Sequence, residues 1–210
     1  MLTVKLAIEN RKEGMLMSSS GIDKILILFD ETSRNEVLKK FVVSGLKHPH
    51  SIRECYINNE GIKLAKEGDF GLLIVSSDIS KQLSIEAVRI ATKHPTATII
   101  YIASETDFSK EQEAKDREEL LELGATLLVK PLTKNAFMVA LNAADMAHIR
   151  LCTLKRKIDE EKVITRAKLL LMEVLCMREE QAHKYIEKES MNNGVTRLET
   201  AYDVIRTYDY

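Results

Sequence analysis

Short apolar runs alternate with segments of helical periodicity from Asp23 to about Leu132. A short apolar run is typical of a buried strand, and apolar positions three or four apart are typical of a helix. Strands joined through helices lie parallel, because parallel neighbours need crossover connections. We therefore predict an α/β fold with a five-stranded parallel sheet and helices on both faces. Its strands are expected at Lys24–Phe29, Ser51–Ile57, Gly71–Ser76, Ala97–Ala103 and Ala125–Pro131.

The pattern beyond Pro131 is helical and contains neither a strand signal nor another proline. Apolar residues there are spaced alternately by four and three positions, as the a and d positions of a heptad repeat are. They are Ala140, Ala144, Ala147, Leu151, Leu154 and Ile158. This seam predicts a long helix that dimerises as a coiled coil. The small alanines at its start are equally compatible with packing against the chain's own sheet.

Two shorter helices are predicted near Arg178–Ser190 and Thr196–Arg206, separated by a polar turn at Asn192–Gly194. Apolar faces on these helices and on the end of the long helix can close a three-helix core. Its residues are Ile164, Ala167, Leu171, Met172, Leu175, Ala182, Ile186, Leu198, Ala201, Val204 and Ile205. We expect a leader at 1–22, an α/β domain at 23–132, a linker helix or coiled coil at 133–158 and a helical module at 159–210.

The composition indicates a globular protein without a strong charge bias. The chain has 210 residues, 45% of them hydrophobic and 30% charged, and a formal net charge of -1. The three cysteines, Cys55, Cys152 and Cys176, form no CxxC pair, which argues against a zinc site or a disulfide framework. No apolar run approaches the roughly 20 residues of a membrane span. We expect a cytoplasmic protein without a membrane partner.

Enzyme chemistry has little support in the sequence. No glycine-rich loop follows Phe29, where a dinucleotide-binding fold would need one for the pyrophosphate. The histidines show no metal-ligand spacing on a helix. An enzyme with a Rossmann-like fold is therefore the weaker alternative. We expect no catalytic residues, no cofactor and no metal site.

The order of the five β-α units, and the Val-Lys-Pro that ends the fifth strand, resemble the CheY-like receiver domains of two-component response regulators. The resemblance covers Asp23–Leu132 and implies a flavodoxin-like fold. Receiver domains phosphorylate themselves on an aspartate at the end of the third strand. Acidic residues after the first strand hold Mg²⁺, and a lysine ends the fifth strand.

This chain keeps only part of that set. Asp30 and Lys130 match, but Phe29 replaces one acid and Ser76 stands at the acceptor position. Asp78 lies two residues further on, which displaces its side chain by about 6–7 Å along a strand. We therefore expect Asp30, Ser76, Asp78 and Lys130 to be a degenerate phosphorylation site. The sequence does not show the activating signal. A partner protein, a small ligand in the former phosphorylation pocket and the absence of any signal are the alternatives.

The segment Glu160–Ile205 resembles an ANTAR module, the RNA-binding domain of transcription antiterminators. The matching residues are Arg166, Ala167, Lys168, Leu171, Met172, Glu173, Glu179, Glu180, Ala182, Ile186, Met191, Leu198, Val204 and Ile205. Two positions depart from the family pattern. Leu169 stands where the family has glycine, and Tyr202 stands where a small residue is usual.

The resemblance implies binding to paired hairpins in a leader mRNA, which prevents an overlapping terminator hairpin from forming. A homodimer through the linker helix would present two modules to two hairpins. Cationic side chains can follow RNA phosphates, and aromatic rings can stack on splayed loop bases. The candidate RNA-binding residues are Arg156, Arg166, Lys168, Lys184, Lys188 and Tyr185. We expect the Arg166–Lys168 side chains to be presented outward.

Two other readings remain open at the level of sequence. Acidic residues nearly cancel the positive charge of the last three helices. This balance favours a protein-binding pseudo-receiver, a signalling scaffold that does not bind RNA. DNA binding through the last two helices is weaker, because too few basic and amide groups stand at the start of the last helix to read a groove.

Overall fold

A computed structural model describes residues 21–30, 36–76, 81–104 and 111–209. The chain divides into two compact units, and the division falls between Thr153 and Leu154. Most of the predicted leader, and Asp78 of the degenerate site, lie outside the described residues. Among the helices of the described part, none combines the length and the apolar character that a membrane crossing needs.

The first unit contains a five-stranded parallel sheet. Its strands, β1 to β5 in chain order, are Lys24–Phe29, Ser51–Tyr56, Leu72–Ser76, Thr98–Ala103 and Thr126–Val129. They lie in the order β2-β1-β3-β4-β5, and every neighbouring pair is parallel. This is the flavodoxin-like order, in which the chain reverses its winding between β1 and β3. The predicted fold class is confirmed.

Helices connect the strands. Helices α1 to α4 are Glu36–Gly45, Asn59–Glu67, Lys81–Ala91 and Glu111–Glu122. The two ends of helix α2 are fixed by capping residues. The side-chain oxygen of Asn58 accepts hydrogen bonds from the backbone N–H groups of Glu60 and Gly61, both at 3.0 Å. Gly68 ends the helix in the left-handed conformation, with φ of 69°.

The sheet has a hydrophobic core on each face. Successive side chains of a strand point to opposite faces. Leu26 and Leu28 of β1 therefore pack on the side of α2, α3 and α4, while Ile25 and Ile27 pack on the other side. Strand β3 is buried along its whole length, as a central strand covered on both faces must be.

Helix α5 runs from Lys134 to Val174 and is 41 residues long. Its first turns cover the second face of the sheet, where Phe137, Ala140, Leu141 and Ala144 are buried. The boundary predicted at 132/133 was therefore wrong, because this part of the helix belongs to the α/β unit. Of the two readings of the alanine-rich start, packing against the sheet is the one observed.

The boundary predicted at 22/23 also needs correction. The side chain of Ile22 is fully buried in the core beside α5. Its backbone N–H donates to Oδ1 of Asp145 at 2.8 Å. Ile22 is therefore part of the folded α/β unit rather than of a leader.

The second unit consists of the end of α5, helix α6 at Glu179–Asn193 and helix α7 at Arg197–Tyr208. The predicted polar turn is present, and Gly194 ends α6 with φ of 64°. Thr196 and Glu199 form a capping box at the start of α7. The buried core comprises Ala167, Leu171, Ala182, Ile186, Ala201 and Val204. Leu175, predicted to join it, is 40% exposed because it lies just beyond the end of α5.

Candidate nucleic-acid interface

Small residues bring the three helices of the second unit close together. Ala167 on α5, Ala182 on α6 and Ala201 on α7 are all fully buried in one cluster. The distance between two helix axes depends on the side chains at their contact, so alanines there allow the helices to approach closely. This packing fixes which face of α6 is left on the surface.

An open groove of about 480 Å³ lies along that face. Its walls come from the turn between α5 and α6 and from one face of α6, where residues three or four apart are neighbours. The lining residues are Leu175, Cys176, Met177, Gln181, Lys184, Tyr185 and Lys188. The groove therefore combines an apolar end with two ammonium groups, an amide and a phenol.

Lys184 and Lys188 are the cationic part of the groove. Both are exposed, and they lie one helical turn apart on α6. Neither forms an ion pair with any residue in the described ranges. Like charges four residues apart disfavour a helix slightly, so an anion bound between them would relieve a repulsion that the free protein carries.

Tyr185 belongs both to the groove and to the core. Its ring is half-buried and packs against the three-helix cluster. Burial raises the pKa of the Tyr185 phenol, and Tyr208 and Glu189 raise it further. The phenol therefore stays neutral at physiological pH and keeps its O–H as a hydrogen-bond donor.

A break in the helix before Arg178 was predicted from the sequence, but the left-handed backbone of the turn that forms the apolar end of the groove was not. The backbone N–H groups of Leu175 and Met177 both donate to the carbonyl oxygen of Leu171, at 3.1 and 3.5 Å. Between them Cys176 adopts a left-handed conformation with φ of 51°, which glycine usually supplies. Without a glycine the sequence carries no signal for this backbone conformation, so Cys176, Met177 and Gln181 were missed as lining residues.

The remaining candidate cations are engaged in ion pairs. Nη2 of Arg166 lies 2.8 Å from Oδ1 of Asp209. Nζ of Lys168 lies 3.1 Å from Oε1 of Glu179, and the lysine side chain is only 16% exposed. The expectation that Lys168 is presented outward was therefore wrong, because its stem is covered and its charge is paired.

Arg156 stands on the exposed part of α5. Its Nε lies 3.7 Å from Oε1 of Glu160, one helical turn further on. An exposed pair of this kind contributes little to stability and exchanges readily with other anions. A phosphate can therefore reach Arg156 and the half-exposed Arg166 if it displaces the carboxylate with which each is weakly paired.

The degenerate phosphorylation site is located at the carboxyl edge of the sheet. Asp30 and Ser76 are buried at the ends of the neighbouring strands β1 and β3. The Phe29 ring packs against Tyr56, with ring centroids 4.8 Å apart. Lys130 follows β5, and its backbone N–H donates to the carbonyl oxygen of Ala103 at 2.9 Å.

The residues described at this edge do not fit a magnesium site of the receiver type. Phe29, which packs against Tyr56, occupies the position of the second metal-binding acid. The buried Ser76 hydroxyl occupies the position of the acceptor carboxylate. Magnesium prefers carboxylate oxygens. The residues described at this edge therefore do not support autophosphorylation of an aspartate at the end of β3.

The family model for the ANTAR domain matches residues 153–205. Residues 153–205 are an ANTAR domain. Several of the residues that carry the resemblance are part of the core, because Ala167, Leu171, Ala182 and Ile186 are all buried. Leu169 is 48% exposed, so the side chain that replaces the family glycine is accommodated at the surface.

Several solved structures are similar to a part of the chain. A two component transcriptional regulator AraC from Clostridium phytofermentans ISDg is 15% identical, with 61% of this chain and 97% of that chain covered and a TM-score of 0.46. A CheY-like response regulator receiver domain protein from Methanospirillum hungatei JF-1 is 17% identical, with coverage of 60% and 95% and a TM-score of 0.46.

A third similar structure is the signal receiver domain of modulated diguanylate cyclase from Desulfovibrio desulfuricans G20. It is 16% identical, with 63% of this chain and 97% of that chain covered and a TM-score of 0.47. No curated protein sequence matches the chain. The chain thus joins an ANTAR domain to an α/β domain with a flavodoxin-like strand order.

Proposed function

We propose that this chain is an RNA-binding transcription antiterminator. Its ANTAR domain binds paired hairpins in a leader mRNA and prevents the overlapping terminator hairpin from forming. The observation that carries this proposal is the groove on α6, where Lys184 and Lys188 flank Tyr185 without an ion-pair partner among the described residues.

The groove offers the two kinds of contact that a hairpin loop needs. Two ammonium groups one helical turn apart can follow successive phosphates, and each contact releases counterions. Loop bases are splayed from the stem and can stack on an aromatic ring or enter an apolar pocket. Tyr185, Leu175 and Met177 supply such surface at one end, and Gln181 supplies amide groups for a base edge.

The α/β domain acts as the regulatory module of the same protein. Ser76 and the Phe29–Tyr56 pair argue against control by aspartyl phosphorylation. The signal is instead a regulatory protein or a small ligand at this domain, and the protein acts in the cytoplasm. This assignment predicts no mass change on incubation with a small phosphodonor and magnesium.

The chain acts as a homodimer through α5. The start of the predicted seam is buried in the α/β unit, which leaves Ala147, Leu151, Leu154 and Ile158 for a partner helix. Leu154 and Ile158 are each 56% exposed. A dimer presents two ANTAR domains, and the second hairpin then binds at a raised effective concentration.

One observation favours a second candidate, a signalling scaffold that docks a protein and binds no RNA. Three of the candidate cations, Arg156, Arg166 and Lys168, are paired with acidic side chains of the same unit. A surface with balanced charge suits a protein partner better than a polyanion. An RNA-binding measurement separates the two candidates.

The test uses the full chain and a leader RNA with two hairpins from the same locus. The variant Lys184→Ala/Lys188→Ala is compared with Lys63→Ala/Lys66→Ala, which removes the same charge from exposed positions on α2. If both groove lysines contact phosphates, the slope of log K against log salt falls by about one per lysine. The α2 variant should keep the slope of the wild type. Equal affinity and slope for all three proteins would overturn the proposal.

A further inference from the structure

Cys152 and His148 lie one turn apart on α5, within the α/β unit. Sγ of Cys152 is 3.5 Å from Nε2 of His148. The other ring nitrogen, Nδ1, is 2.7 Å from the carbonyl oxygen of Thr96. A carbonyl oxygen can only accept, so Nδ1 carries the hydrogen and Nε2 of the neutral ring has a free lone pair. The tautomer is therefore the one that can take a proton from the Cys152 thiol.

The imidazole is held in this orientation. His148 is only 7% exposed, and its ring lies directly over the backbone of Gly71. A Cβ atom at Gly71 would come within 2.7 Å of Cε1 of His148, so only glycine leaves room for the ring. The Cys152 side chain, in contrast, is partly exposed. A fixed, buried base thus stands beside a thiol that small molecules can reach.

We propose that Cys152 is a nucleophilic modification site that reacts with small disulfides, with His148 as its general base. Thiolates rather than thiols attack disulfides, and a neighbouring imidazole favours the thiolate. This inference is independent of RNA binding and concerns the residue that directly precedes the ANTAR domain.

The reaction is a thiol–disulfide exchange. Nε2 of His148 takes the proton of the Cys152 thiol, and the thiolate attacks one sulfur of the small disulfide. A new S–S bond forms at Cys152 while the S–S bond of the reagent breaks. The departing thiolate takes the proton back from His148 and leaves as a thiol. Cys152 is oxidised, and half of the reagent is reduced.

The two other cysteines are internal controls. Cys176 is more exposed than Cys152, but no histidine contacts it within the described residues. Cys55 is half-buried, and burial, followed by the charge of Glu60, raises the pKa of its thiol. Exposure alone would make Cys176 react fastest, whereas activation by His148 puts Cys152 first.

The experiment exposes the full chain to oxidised mercaptoethanol, quenches with acid and maps the adducts by mass spectrometry. Near pH 6.5 an ordinary cysteine is only about 1% thiolate. We therefore expect Cys152 to react about tenfold or more faster than Cys176. The variant His148→Gln should remove this advantage and leave the Cys176 rate unchanged.

The wild-type pH profile provides a readout that does not depend on the folding of the variant. A small free thiol, whose rate rises about tenfold per pH unit below its pKa, serves as the reference, and the Cys152 rate should rise much less with pH. A Cys152 rate at or below that of Cys176 near pH 6.5, or a Cys152 pH slope equal to that of the free thiol, would overturn the proposal.

Discussion

Nζ of Lys168 on α5 lies 3.1 Å from Oε1 of Glu179, in the first turn of α6. The pair links the two helices across the turn between them, and it places a carboxylate at a helix start, where the backbone dipole favours negative charge. Lys168 belongs to the part of the sequence that most resembles the ANTAR pattern. Its contacts indicate a role in holding α5 and α6 together.

Lys168→Ala should lower the free energy of unfolding by about 0.5–1 kcal/mol, because it removes the ion pair and the covered apolar stem. Urea denaturation of the full chain measures this. Glu179→Gln is the matched control and should lower stability by a similar amount while it keeps the lysine. A variant of unchanged stability with RNA affinity weakened tenfold or more would instead place Lys168 in the RNA interface.

Cys176→Gly should stabilise the ANTAR domain. The left-handed backbone at Cys176 costs an L-residue about 1–2 kcal/mol, and glycine adopts it freely. The greater freedom of glycine in the unfolded chain removes part of the gain, so we expect a net increase of about 0.5–1 kcal/mol. Thermal or urea unfolding reports it. Cys176→Ala, which also removes the thiol but keeps the strain, should show no such increase.

The sheet could be predicted from sequence because each strand is a short apolar run bounded by turns. Lys24–Phe29 was placed without error, and the other strands to within one or two residues. The surface that Ala140 and Ala144 pack against could not be predicted in the same way, because an alanine at heptad spacing fits a partner helix and a sheet face equally well. Burial of Phe137 and Leu141 against the sheet settled it.

The candidate site was less predictable than the fold. Lys184 and Lys188 were predicted as neighbours one helical turn apart, and Tyr185 as a ring that can stack on bases. All three line one groove. The pairing of Lys168 with Glu179 depends on the turn between α5 and α6, which no glycine marks. A residue pattern identifies which side chains share a helix face, but it does not show which of them find a partner on the next helix.

Leu154→Lys/Ile158→Lys should dissociate the proposed homodimer. Both side chains are exposed on α5, and two buried ammonium groups in a helix seam carry a desolvation penalty without a partner. Sedimentation equilibrium of the full chain measures the mass directly. Val139→Lys, at another exposed position of α5 that lies outside the seam, is the control and should leave the dimer intact. A wild-type chain that is monomeric at tens of micromolar would contradict the arrangement.

Protection of Cys176 from alkylation tests most directly whether the groove on α6 is the RNA-binding surface, since this thiol is exposed at the groove's edge. The full chain is alkylated with and without the two-hairpin leader RNA, and an RNA of equal length without hairpins serves as the control. With RNA at about ten times its Kd, only about a tenth of the protein is free. Cys176 should then react about tenfold more slowly, while the rates of Cys55 and Cys152 stay unchanged. An unchanged Cys176 rate, under conditions where RNA is shown to be bound, would contradict the assignment of this groove.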